Sequence, residues 1–125
     1  MKPLIMFVDD DPMLLASINR QLARKLTAFD FVLCDRGAKA LDEAAKRTPH
    51  VLFSDMRMPE MDGLTFLSEF VKRHPSTICF ALTGQLAAAE LAQMETLVRQ
   101  ILAKPIDFTI LRELIESSIP STDAT

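Results

Sequence analysis

The chain has 125 residues, 49 % of them hydrophobic and 25 % charged, with a formal net charge of −3. That length holds one domain with a single core, and the composition excludes a disordered or fibrous chain. So small a charge favours neither a nucleic-acid surface nor an anionic membrane surface, and no apolar run approaches the ~18 residues of a membrane span.

Short continuous apolar runs alternate along the chain with segments of helical spacing. The first run covers 4–8 and ends in three consecutive acids, Asp9, Asp10 and Asp11. A helical stripe follows with Leu14, Ile18, Leu22 and Leu26, and Leu15 beside it. The second run, 29–34, is interrupted by Asp30 and precedes a helix whose expected inward stripe is Ala38, Leu41 and Ala45. The third, 51–53, leads through Ser54 to Asp55, and the helix after it carries Leu64, Leu67 and Val71. The fourth, 78–82, ends at Thr83 and precedes an Ala-rich helix expected over 86–98, with Leu91, Met94 and Val98 inward. A weaker run at 101–103 closes on Lys104 and Pro105. Asp107 then stands as N-cap of a last helix over 108–118, with Leu111 and Ile115 inward.

Runs without in/out alternation are strands covered on both faces, as in a parallel sheet. Five strand–helix units with short connections predict a doubly wound α/β sandwich. The domain is expected over 1–118, with 119–125 a small, polar, proline-broken tail that frays. The N-terminus lacks a signal peptide's apolar core and cleavage site, so a cytoplasmic location is expected. Cys34 and Cys79 fall inside apolar runs and read as buried free thiols. There is no CxxC spacing for zinc, and His50 and His74 sit beside chain breaks as loop or helix-end residues.

Parallel strands bring their C-terminal ends to one edge, where open α/β sheets bind ligands. Asp9, Asp10, Asp55, Thr83 and Lys104 therefore converge. N-capping and solvation explain Asp11 or Asp62 singly, but not charge and hydroxyl at four strand ends. Clustered carboxylates repel unless a hard cation sits between them, and oxygen-only ligands suit Mg²⁺. A metal, an ammonium and a hydroxyl around one carboxylate make a place to accept a phosphoryl group.

Four segments, FVDDD (7–11), SDMRMPEMDG (54–63), ALTG (81–84) and AKP (103–105), agree in order and spacing with a known family. Across residues 3–118 the chain resembles the receiver domain of bacterial two-component response regulators. The resemblance implies a flavodoxin-like (βα)5 sandwich with its five parallel strands in order 2-1-3-4-5. In that order Cys34 and Cys79 stand three strand spacings apart, roughly 14 Å, too far for a disulfide. The resemblance further implies that Asp55 takes a phosphoryl group from the phosphohistidine of a sensor kinase or histidine phosphotransfer protein. Mg²⁺ would be held by Asp10 directly, Asp9 through water, Asp55 and the backbone carbonyl of Arg57. Thr83 and Lys104 would hold the phosphoryl oxygens, Lys104–Pro105 would be cis, and Gly63 would turn the chain into the third helix. The implied output is a changed surface around the fourth helix, fifth strand and fifth helix. That surface would control an output partner or domain, in a monomer or weak dimer that makes no direct nucleic-acid or membrane contact.

Three positions depart from the family's commonest pattern. Ile101 stands where a Tyr or Phe is usual, and Arg57 and Gln85 occupy places that tune phosphoryl lifetime. The LTGQ and LAKPID segments look most like receivers joined to HD-type output domains. Met13, Ser17, Arg20 and Arg24 form a further face on the first helix, read as a solvated face or a kinase docking surface. The alternative class is a haloacid-dehalogenase-like phosphatase with Asp9 as nucleophile and Asp11 as general acid. It leaves Asp55 unexplained, has Met13 where Thr or Val is expected, and lacks a late acidic pair.

Overall fold

The computed structural model describes residues 1–58, 61–84 and 88–119. Its strands are β1 (Leu4–Val8), β2 (Asp30–Cys34), β3 (Val51–Asp55), β4 (Ile78–Thr83) and β5 (Gln100–Ala103). Its α-helices are α1 (Pro12–Ile18), α2 (Gly37–Lys46), α3 (Gly63–Arg73), α4 (Ala88–Met94) and α5 (Phe108–Ser118). The strands form one parallel sheet in the order β2-β1-β3-β4-β5. Every residue of β1 and β3 is buried, which is why their sequences run apolar without alternation.

Alternate side chains feed two cores. Ile5, Phe7, Val51, Phe53, Phe80 and Leu82 pack on one face with Ile18 and Leu22 and with Leu111 and Ile115 of α5. Phe7, Phe53 and Phe80 are register partners, and their rings stack in a row with centroids 4.7 and 5.0 Å apart. Met6, Val8, Leu52, Cys79 and Ala81 pack on the other face with α2, α3 and Met94 of α4. Both cysteines are buried and free. Burial pushes the Cys34 thiol up to about 11 and the Cys79 thiol up to about 12, which suits inert packing residues.

Local structure departs from the sequence expectation in four helices. After Ile18 the first helix widens into a π-helical turn, Asn19–Ala23, marked by the Arg24 N–H donating to the Asn19 carbonyl. In α2 the buried residues are Gly37, Ala40 and Ala44, while Ala38 and Ala45 are exposed and Leu41 half-buried. The stripe is one step out of phase because α2 lies close to the sheet through its smallest residues. In α3 the centre of the buried face is Phe66, Leu67 and Phe70, with Leu64 and Val71 on its flank. Of the helix expected over 86–98, Ala88–Met94 is helical and 86–87 lie outside the described residues; the Leu97 and Val98 N–H groups both donate to the Met94 carbonyl, which turns the chain toward β5. Gln85 and the tail beyond Ile119 lie outside the described residues.

Candidate functional site: an acid cluster at the sheet edge

Strand β1 stops at Val8, and the chain turns so that the Asp9 N–H donates to the Cys34 carbonyl of β2. Asp9 is buried at 1 % exposure and Asp10 is exposed. Asp11 caps α1, accepting from the N–H groups of Met13 and Leu14, with Pro12 in the first turn, where its missing N–H costs nothing. Asp62 caps α3 through the Thr65 N–H and hydroxyl, and those bonds hold its carboxyl below the usual range. Asp11 and Asp62 are thus helix caps, while the other acids gather.

The carboxylates of Asp9, Asp10 and Asp55 offer one oxygen each within 4.8 Å of one another. The two Asp9 oxygens are engaged: Oδ1 accepts the Asp11 N–H at 2.9 Å and Oδ2 accepts the Lys104 ammonium at 2.8 Å. Lys104 also lies 3.2 Å from Asp55 Oδ1, which accepts the Arg57 N–H at 3.4 Å. One ammonium therefore spans two buried carboxylates. Burial pushes the Asp55 carboxyl above its ordinary value, the Asp9 charge adds to this, and Lys104 and the Arg57 N–H offset part of it. For Lys104, burial works downward, but its hydrogen bond to Asp9 and the charges of Asp9 and Asp55 raise it above the usual lysine value.

The opposite wall of the site comes from the ends of β4 and β5. Thr83 is in register with Ala103, and the Lys104 N–H donates to the Thr83 carbonyl. The Lys104–Pro105 peptide bond is cis. Thr83 Oγ1 is buried and has no hydrogen-bond partner among the described residues. A buried hydroxyl without a partner is costly, and a strong acceptor beside it would satisfy it. Arg57 lies two residues beyond Asp55, where its backbone already bonds the Asp55 carboxylate.

Sequence reasoning missed two supporting features, the bonds of Ser54 and Met56. The Ser54 hydroxyl, wholly buried, donates to the Asp55 backbone carbonyl at 3.1 Å. The Met56 N–H donates to the Leu82 carbonyl, tying the loop after Asp55 to β4. Gly63 is required by close approach: a Cβ there would stand 2.5 Å from Met56 Cα. No described glycine has a positive φ, so neither Gly63 nor Gly84 is present for a left-handed turn.

Comparison with known proteins agrees with this geometry. A family model described as the response regulator receiver domain matches residues 5–116. The chain belongs to the response regulator receiver family. It is 36 % identical over 119 residues to the DNA-binding transcriptional regulator NtrC of Escherichia coli K12, covering 93 % of this chain and 24 % of NtrC. The transcriptional regulatory protein GlrR of the same organism is 30 % identical over 125 residues, covering 95 % of this chain and 28 % of GlrR. The chain thus spans about a quarter of the length of these relatives. Two solved structures share the receiver fold. The signal receiver domain of an HD domain-containing protein from Pseudomonas fluorescens Pf-5 has a TM-score of 0.85, 24 % identity and 94 % coverage of both chains. Vibrio cholerae CheY4 has a TM-score of 0.84 and 20 % identity, covering 95 % of this receiver and 100 % of CheY4. Nothing in these matches favours a phosphatase. Among the described residues, no helix of this receiver is long and apolar enough to cross a membrane.

Proposed function

We propose that Asp55 is the phosphoacceptor of this receiver and that its donor is the phosphohistidine of a sensor kinase or phosphotransfer protein. The observation that carries the reading is the encirclement of Asp55. It is buried, within 3.2 Å of Lys104, inside a carboxylate cluster, and on the sheet edge that carries the unpartnered Thr83 hydroxyl. Lys104 would neutralise charge on the transferred group, and Thr83 Oγ1 would donate to one of its oxygens. The oxygen donor set of Asp9, Asp10 and Asp55, with the Arg57 carbonyl, fits a hard divalent cation, and we assign it to Mg²⁺. Asp10, exposed and with no hydrogen bond to its carboxylate among the described residues, is the direct ligand; Asp9, with both oxygens engaged, binds through water. When bound, the ion supplies positive charge against the phosphoryl oxygens.

The domain is a signal receiver over 1–118 and works as a switch whose only chemistry is gaining and losing its own phosphoryl group. Its output partner or domain reads the surface of α4, β5 and α5, in a cytoplasmic monomer or weak dimer without direct nucleic-acid contact. Mass spectrometry after acetyl phosphate and Mg²⁺ treatment tests the assignment. One phosphoryl mass should appear on wild type and none on Asp55→Asn. Undiminished labelling of that variant, or labelling moved to Asp9, would refute it.

A further inference from the structure

At the opposite edge of the sheet, where β3 and β4 begin, a cavity of about 350 Å³ opens beside the C-terminal end of α5. Thr48, His50, Ser76 and Ser118 form its polar wall, with Ile78 and Ile119 on the apolar side. Among the described residues no Asp, Glu, Lys or Arg lines it. Ser118 is 7 % exposed, and its hydroxyl is buried without a hydrogen-bond partner. An alanine would hold the same place on α5 without that cost. His50 is fixed as a donor: its Nδ1 accepts the Leu4 N–H at 3.2 Å, so the neutral ring carries its proton on Nε2. The Thr48 hydroxyl is engaged with His74 Nδ1 at 3.2 Å. The last carbonyls of α5 lack partners within the helix and supply acceptors beside Ser118. A charged group entering here would lose water and meet no counter-charge on the wall. A neutral group that both accepts and donates matches what the wall offers.

We propose that this cavity binds a small neutral carboxamide with a short hydrocarbon body. The ligand carbonyl accepts from Ser118 Oγ and His50 Nε2, and its NH2 group donates to the last carbonyls of α5. Its hydrocarbon lies against Ile78 and Ile119. The site shares no residue with the acid cluster and needs neither metal nor phosphoryl group, so it stands apart from the reading of Asp55. It nevertheless sits at the start of the two strands that end at Asp55 and Thr83.

The test titrates the full chain with isobutyramide and, separately, with its charged counterparts isobutyrate and isobutylamine. Isobutyramide should shift the Ile78 and Ile119 methyl NMR signals and raise the melting temperature as its concentration rises. The two charged probes should bind at least about tenfold more weakly. Ser118→Ala should bind isobutyramide about tenfold more weakly, yet melt higher than wild type without it, because the unpartnered hydroxyl is gone. A merely structural serine would not couple those two changes. His50→Asn keeps an acceptor for the Leu4 N–H and loses the Nε2 donor, so its affinity should also fall about tenfold. Ile78 and Ile119 methyls that stay silent throughout the titration would show a cavity that holds only water and would overturn the proposal. Equal binding of isobutyrate, or undiminished binding by Ser118→Ala, would overturn it as well.

Discussion

Asp55 is held in an electrostatic conflict. Its carboxylate is buried next to that of Asp9, and Lys104 offsets the crowding only in part. The folded state therefore holds an Asp55 proton more tightly than the unfolded chain does. With a raised folded pKa, the contribution of Asp55 to stability is most favourable below the ordinary aspartate value of 3.8 and is lost as pH rises through the folded value. Asp55→Asn should thus stabilise the metal-free domain at pH 7 by about 1 kcal/mol. The gain should shrink on acidification below the unfolded carboxylate pKa. Calorimetry in EDTA across that range checks it, and a pH-independent difference would place the effect elsewhere than in charge. At this scale the sequence was informative where chemistry forced a residue type: Asp9, Asp10, Asp55, Thr83 and Lys104 all lie at the sheet edge. It was silent on Ser54 and Met56, whose roles depend on backbone geometry that no side-chain type announces.

Among the elements, the first helix shows a sequence pattern imposing an unusual structure. Leu14, Ile18, Leu22 and Leu26 are spaced four residues apart three times over, whereas an α-helix of 3.6 residues per turn drifts about 40° with each such step. The π-helical turn at Asn19–Ala23 takes up that drift, and Ile18, Leu22 and Leu26 all remain buried. Removing one residue from the turn should therefore convert it to α-helix while the spacing from Ile18 to the next leucine becomes three, keeping the stripe on one face. Deletion of the exposed Arg20 should cost no more than about 2 kcal/mol, and deletion of both Asn19 and Arg20 should cost more than about 4 kcal/mol by turning Leu22 and Leu26 outward. Urea titration of the two variants decides this; equal losses would mean that the turn is not a one-residue insertion. The strands and α5 were legible because continuous apolar runs and the Asp107 cap are strong signals. The buried faces of α2 and α3 were less so. Glycine and alanine carry little hydrophobic signal, and in α3 the flank holds Leu64 and Val71 while the centre holds the phenylalanines.

Across the whole molecule, the sheet fixes one rigid wall of the site and leaves the other less firmly held. Strands β1 and β3 are buried along their full length, while β5 has exposed ends and Ile101 and Leu102 only half-buried between them. Thr83, at the end of β4, has a buried hydroxyl with no partner among the described residues, and in the proposed reading a phosphoryl oxygen would draw it inward. In the family's usual pattern a Tyr or Phe three residues before the lysine reports that motion by swinging its ring. Here that residue is Ile101, in register with Ala81 and packed against the core that contains Met94. A β-branched side chain is stiff at χ1 and much smaller than a ring, so it transmits little. In that reading the Thr83 shift would pass instead through the chain from Gly84 onward, where a Cβ built on Gly84 would meet no described atom within 4 Å. Structures with and without beryllofluoride, a phosphoryl mimic, should show Ile101 in one rotamer and the backbone of 84–89 displaced. Thr83→Ala should suppress the displacement, and Ile101→Val should leave it in place. A rotamer change at Ile101 beside an unmoved 84–89 backbone would show that the signal crosses β5 after all.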